Sequence, residues 1–253
     1  MRRLKKLRSR KGRESEGLFV LEGIRLIADT PSECLEEVYV SEAAESDSLR
    51  SLVAGLLREG IPVFWLSSSL FDELAETVHS QGVLAVARVP TVSGHSFWED
   101  THSIVVCDAI QDPGNLGTLF RTAAGAGYDG IVLTDGTVDP YNPKSVRASM
   151  GSLFRIRHCT VSAETIGLEL KQRGFRIIIG DVHASKSVYE ADMSGDLAVV
   201  LGNEGAGPRA CLIQNASEVV SIPLAGGLES LNVTVAAGIL LFERVRQIRQ
   251  AEW

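Results

Sequence analysis

The sequence predicts an α/β protein of two domains, and three observations carry that expectation. Strands such as Ile104-Val105-Val106 and Ala198-Val199-Val200-Leu201 are nearly continuous apolar runs, as a parallel sheet covered on both faces requires. Such strands alternate with helical stretches from residue 103 onward. Between them and an earlier α/β block, residues 89–102 shift to Pro90, Thr91, Ser93, Gly94, His95, Ser96 and acids without a sustained apolar period, as expected of a linker.

Within the first block, residues 18–22, 37–40, 63–66 and 83–87 read as strands, and 23–30, 47–59 and 69–78 carry helical spacing. In the second block strands are expected at 104–108, 130–134, 175–181, 197–202 and 219–224, with helices over 116–126 and from about 230 to 249. The domains are therefore placed at 14–88 and 103–253, after a basic tail at 1–13.

With 253 residues, 45% of them hydrophobic, the chain can bury a substantial core. Its longest apolar run, around 233–242, is far short of the roughly 20 residues needed to cross a bilayer. No apolar leader opens the sequence, so a soluble cytoplasmic protein is expected, with Cys34, Cys107, Cys159 and Cys211 as reduced thiols and no metal site. A net charge of −7 at first opposes a nucleic-acid partner. Eight basic side chains and no acid lie within residues 1–13, however, leaving 17 basic against 32 acidic residues beyond Arg13. That arm can meet RNA phosphates, serve as a solvated tail, or pair as a helix with acidic surface.

Three segments carry chemistry. In DAIQDPGNLGTLFR (108–121) an apolar strand turns into a helix that Asn115 is placed to cap, and Arg121 follows six residues later with a donor fork suited to a phosphate or oxyanion. An ordinary capped helix with a surface arginine explains the segment as well. In LAVVLGNEGAGP (197–208) Gly202, Gly205 and Gly207 follow a buried-type strand and permit close ligand approach, with Glu204 among them. In VVSIPLAGGLESLNVTVAAG (219–238) Ser230 reads as the cap of the last helix and Asn232 as a residue inside its first turn. The GxGxxG fingerprint of a dinucleotide-binding dehydrogenase is missing.

In this order the three segments resemble the SpoU (TrmH-like) branch of the SPOUT methyltransferases over residues 110–253. The FVLEG (19–23) and QGVLA (81–85) stretches are similar to the small RNA-binding domain, ribosomal L30e-like, that often precedes the catalytic domain there. Family-like too is DPYNPKSVRASMG (139–151), in which the resemblance points Lys144 and Arg147 toward RNA. Pro208 and Leu224 depart mildly from the family pattern, which favours an aliphatic residue and a methionine there.

The resemblance implies a C-terminal domain tied as a deep trefoil knot, a homodimer formed through it, and S-adenosylmethionine held near Leu201, Gly202, Gly207, Ile222 and Leu231. It implies methyl transfer to a ribose 2'-hydroxyl, with Asn115, Arg121, Glu204, Ser230 and Asn232 in the reaction centre. A guanidinium is effectively always protonated, which favours Arg121 as an oxyanion and phosphate clamp over a free base. Ribosomal RNA is the expected substrate, tRNA the alternative, and a catalytically silent RNA-binding homologue the rival.

Overall fold

In the computed structural model, which describes residues 2–77, 79–90, 94–226 and 228–251, the basic stretch at the start is helical. Helices α1 (Arg2–Leu7) and α2 (Arg10–Glu16) bury Leu4 and Leu7. These leucines join Leu18, Phe71, Leu74, Leu84 and Val86 in one apolar cluster. Acidic side chains pair with five of the eight basic residues in this stretch: Arg3 meets Glu36 and Glu37, Lys5 meets Glu73, Lys6 meets Glu16, Arg10 meets Glu14 and Arg13 meets Asp139. Residues 2–13 therefore pack as two helices on the N-terminal unit.

The N-terminal unit continues with β1 (Leu18–Glu22), α3 (Ile24–Ala28), β2 (Leu35–Ser41), α4 (Asp47–Arg58), β3 (Val63–Leu66), α5 (Ser68–Leu74) and β4 (Val83–Arg88). Its four strands order β1-β4-β2-β3, antiparallel except for the β2–β3 pair. Helix α5 stops earlier than its spacing predicts because Ala75 is extended and the Glu22 carboxylate takes the next backbone N–H, that of Glu76, at 3.1 Å. Val78, the expected helix end, lies outside the described residues.

The C-terminal unit contains α6 (Gly94–Trp98), β5 (Ser103–Cys107), α7 (Pro113–Gly125) and β6 (Gly130–Thr134). After α8 (Pro143–Ser149) come β7 (Arg157–Val161), α9 (Ala163–Gln172), β8 (Arg176–Gly180), β9 (Lys186–Ser187), β10 (Leu197–Leu201), α10 (Ala210–Ile213), β11 (Glu218–Ser221) and α11 (Val233–Ala251). Seven strands pair in the order β7-β6-β5-β10-β8-β11-β9, every pair parallel. Strands β5, β6 and β10 are buried along their whole length, which is why they read as uninterrupted apolar runs. This is the α/β fold with a parallel sheet that the sequence predicts. Strands β7 and β9 escaped that prediction because one is rich in polar residues and the other is two residues long.

The domain limits also differ from the expected ones. Residues 94–102 belong to the C-terminal unit, not to a linker: Phe97 is fully buried in its core, and the Arg173 guanidinium lies 4.2 Å from the Trp98 ring centroid. Residues 91–93 of the expected linker lie outside the described residues. Conversely, the segment Asp139–Phe154, with α8, clusters with the N-terminal unit. There Phe19 packs on Tyr141 and Phe154 at 4.9 and 5.9 Å between ring centroids, and the buried Arg13 donates to Asp139 at 2.5 Å.

Winding outward from β5 to β7 and then back past it places β5 beside β10, so the strand order reverses between them. Ligands collect outside the carboxyl ends of strands at such a reversal. Three of the sequence segments singled out above leave the sheet at that edge.

Candidate active site

The first segment is set by helix capping. Asp112, not Asn115, caps α7: its carboxylate accepts the Asn115 N–H at 2.8 Å, and Pro113 opens the helix where no N–H is needed. Asn115 is thereby moved into the first turn, where its amide is available to neighbouring loops. Before it, Ala109 holds a left-handed φ of 52°.

After β10 the chain folds back on itself. Asn203 and Gly207 exchange backbone hydrogen bonds of 3.2 and 2.9 Å, while the Asn203 Oδ1 accepts the N–H groups of Gly205 and Ala206 at 2.9 Å each. Glycine is required at 202, because a Cβ there would stand 2.2 Å from the Pro208 nitrogen and 2.4 Å from the Gly207 carbonyl carbon. The Asn203 amide reaches back to the Ala109 carbonyl at 2.9 Å, joining this loop to the one after β5.

Glu204 projects from the turn onto the start of α7. Its carboxylate accepts the Asn115 Nδ2–H at 3.0 Å and the backbone N–H groups of Gln111 and Asp112 at 3.3 and 3.4 Å. Partial burial pushes this carboxyl upward, but the Asn115 amide and the backbone N–H groups outweigh it and hold the group below its ordinary range.

Before α11, Asn232 rather than Ser230 acts as the cap. Its Oδ1 accepts the Thr234 N–H at 2.8 Å and hydroxyl at 2.6 Å, and its carbonyl accepts the N–H groups of Val235 and Ala236. Its Nδ2 also faces the Asn115 Oδ1 at 3.4 Å, so Asn232, Asn115 and Glu204 form one polar chain across three loops.

Beside this chain lies a cavity of about 510 Å³. Leu201, Gly202, Gly207, Ile222 and Leu231, the residues expected at the cofactor, all line it, as do Glu204, Ser230 and Asn232. Gly227 of the third segment lies outside the described residues. Arg121 does not line the cavity; it is exposed on α7 and makes no hydrogen bond or ion pair among the described residues. Lys144 and Arg147 stand on α8 in the N-terminal unit, where Arg147 pairs with Glu76 at 3.6 Å.

Sequence reasoning missed Asp181 and His183, which enter the cavity wall from the loop after β8. Their position just past a buried strand end was the available signal. It also missed Arg209, whose guanidinium pairs with the fully buried Asp108 at 2.6 Å and with Asp135 at 2.7 Å. Asp135, and with it Asp108, raises the Arg209 pKa further above its ordinary value. A wider cleft of about 1200 Å³ in the N-terminal unit has Glu45, Asp72 and Glu76 among its lining residues.

The profile of the SpoU rRNA Methylase family matches residues 102–242, more than half of the chain. The chain belongs to the SpoU rRNA methylase family. An MRM3-like substrate binding domain matches residues 1–85. Among relatives, the 23S rRNA (guanosine(2553)-2'-O)-methyltransferase RlmP of Bacillus subtilis is 35% identical over 94% of this chain and 92% of its own. The AdoMet-bound rRNA methyltransferase of Sinorhizobium meliloti superposes with a TM-score of 0.83 at 27% identity, covering 97% of this chain and 94% of that one. The SpoU methyltransferase AviRb of Streptomyces viridochromogenes, in complex with AdoMet, superposes with a TM-score of 0.85 at 26% identity, covering 97% of each chain. Similarity thus spans both units of this SpoU methylase, not the catalytic segment alone.

Proposed function

We propose that this chain transfers the methyl group of S-adenosylmethionine to a ribose 2'-hydroxyl of ribosomal RNA. The observation that carries the proposal is the Asn232–Asn115–Glu204 chain at the edge of a glycine-walled cavity in a SpoU rRNA methylase. RlmP and AviRb support the same chemistry through the activity or cofactor in their names.

The cavity suits the cofactor. Gly202 lets the loop backbone close tightly on Gly207 and Pro208 at the cavity wall, and Ile222, Leu231 and Leu240 supply apolar wall for an adenine and a thioether chain. Leu201, Gly202, Gly207, Ile222 and Leu231 would hold the cofactor, which when bound supplies an electrophilic methyl on a sulfonium.

The chain's own residues do the positioning. Asn115, already held by Glu204 and Asn232, orients the ribose and its phosphate, and Ser230 adds a hydroxyl at the cavity wall. Holding the oxygen in line for displacement is where such a site acquires much of its rate. The Arg121 guanidinium stabilises the forming alkoxide and a neighbouring phosphate, and the hydroxyl proton leaves to that phosphate or to water.

An exposed Arg121, without an ion pair among the described residues, fits a site completed by a second copy of the chain. Val235 and Phe242, two turns apart on α11 and 51% and 48% exposed, with open space beside Gly238 between them, support a homodimer built on that face. The loops at 201–208 and 222–232 form the trefoil knot of this reading. The N-terminal unit, with its match to a substrate binding domain, docks the RNA, and Lys144 and Arg147 on α8 contribute to that docking.

The test is incubation with methyl-labelled S-adenosylmethionine and ribosomal RNA from cells lacking the gene, followed by mapping of the label. A 2'-O-methyl nucleotide at one position is expected; label on a base, on tRNA only, or nowhere would overturn the proposal.

A further inference from the structure

We infer that Asp108 and Arg209 are positioning residues of the methyl transfer, an inference that rests on the methyltransferase reading above. Neither residue lines the cavity. Asp108 directly follows β5 with no exposed surface, and three donors, two from Arg209 ahead of α10 and one from Thr134 at the end of β6, converge on its carboxylate. Its Oδ1 accepts the Arg209 Nε–H at 2.7 Å and the Thr134 hydroxyl at 2.8 Å, and its Oδ2 accepts the Arg209 backbone N–H at 2.8 Å. Arg209 continues outward to Asp135 at 2.7 Å and to the Thr134 oxygen at 2.6 Å. Thr134 Oγ1 also accepts the Ala109 N–H at 3.0 Å.

These contacts pin three chain segments at one point: the exit from β5, the exit from β6, and the far end of the glycine loop that follows β10. Asn115 and Glu204, two of the groups proposed to orient the substrate, hang from the first and third. Ala109, held in its left-handed conformation between Asp108 and Ile110, presents the carbonyl that receives Asn203. Gln111 and Asp112, three and four residues past Asp108, present the N–H groups that receive Glu204. Arg209 stands two residues beyond Gly207, which closes the loop carrying Glu204. The ion pair therefore sets the separation of the two loops whose tips meet as Asn115 and Glu204. Because each contact at those tips depends on a few tenths of an ångström, a slack base reaches the reacting oxygen.

A buried carboxylate deprived of its cation is destabilising in itself, so stability must be separated from positioning. Three proteins accomplish this: the native chain, Arg209→Met, and the double variant Asp108→Asn with Arg209→Met, in which no buried charge is left unpaired and only the exposed Asp135 loses its cation. Thermal unfolding and steady-state methylation of deletion-strain ribosomal RNA are measured for each. The single variant is expected to unfold at lower temperature. The double variant is expected to recover most of that loss, yet to keep a kcat about 100-fold below the native value with the KM for RNA little changed, the scale of an ångström-level misplacement. Arg209→Lys, which restores charge without the fork, is expected to fall between them.

A double variant whose kcat returns together with its stability would overturn the positioning role, and so would a loss confined to the KM for RNA. If the native chain itself methylates no RNA, the methyltransferase reading fails and this inference fails with it. Native activity with an undiminished double variant defeats the inference alone.

Discussion

Asn115 and Glu204, 89 residues apart in sequence, meet through an Nδ2–H···Oε1 hydrogen bond of 3.0 Å that closes the loop after β5 onto the loop after β10. The donor is fixed in turn by Asp112, whose carboxylate holds the Asn115 backbone N–H, and the acceptor by the Gln111 and Asp112 N–H groups. The contact is thus a consequence of two local turns brought edge to edge by the strand order.

Replacing Glu204 by Gln removes the negative charge that these donors share. Hydrogen bonds to charged groups contribute about 1.5–3 kcal/mol each, so loss of orientation at Asn115 is expected to lower kcat by roughly tenfold or more. Single-turnover methylation measures it; an unchanged rate would mean that the Asn115–Glu204 contact does not serve the reaction.

Arg121 separates activity from stability in the opposite sense to a core residue. Its side chain is exposed and makes no hydrogen bond or ion pair among the described residues. Arg121→Lys is expected to leave stability within about 0.5 kcal/mol of native, as surface substitutions do. Turnover is expected to fall about 100-fold, as for loss of one oxyanion donor. Near-native turnover of the lysine variant would rule out a forked contact.

Gly202→Ala tests the cavity wall. The added Cβ meets backbone atoms of Gly207 and Pro208, which cannot rotate away, so the loop must shift. Overpacking of this kind costs about 1–3 kcal/mol, and the cofactor Kd is expected to rise about tenfold or more in calorimetry. Full cofactor affinity in this variant would place the binding surface elsewhere.

The pH dependence of stability follows from His158, which is 9% exposed and packs edge-on against Phe120. Burial holds its imidazole below the ordinary value of 6.5, so the native state stays neutral where the unfolded chain gains a proton. Its contribution is complete above about pH 6.5 and is lost as pH falls from there toward the native-state value, by at most about 1.4 kcal/mol per pH unit. Urea unfolding of the native chain and of His158→Phe at neutral and mildly acidic pH checks this: the variant is expected to lose less stability on acidification. Equal losses would show that His158 is not the group responsible.

Much of the site was legible along the chain because it is built from strand ends and turns whose chemistry is local. Gly202 and Gly207 stand where a Cβ would collide or φ is positive, and the buried strand before them predicts the loop. The capping assignments were less secure. Asp112 and Asn115 are both competent caps, and only Pro113 at the first helical position points to Asp112. Ser230 and Asn232 are likewise both competent, and the helix begins after the second because its side chain meets Thr234. The basic stretch misled for a different reason: charge density is visible in sequence, whereas the packing of Leu4 and Leu7 onto Phe71 and Leu84 is not.

By itself the sequence determined five of the seven strands of the parallel sheet, the three loop segments at their carboxyl ends and part of the cavity wall, without Asp181 and His183. Continuous apolar runs and glycines next to them have few other uses. Tertiary structure decided which distant groups share a charge. Asp108 and Arg209 lie 101 residues apart and meet only because β10 inserts beside β5, and Asp139 leaves the catalytic unit's neighbourhood in sequence to pair with the buried Arg13. A buried carboxylate must have a partner, but which cation arrives there depends on strand order and burial, and neither is written in any single segment.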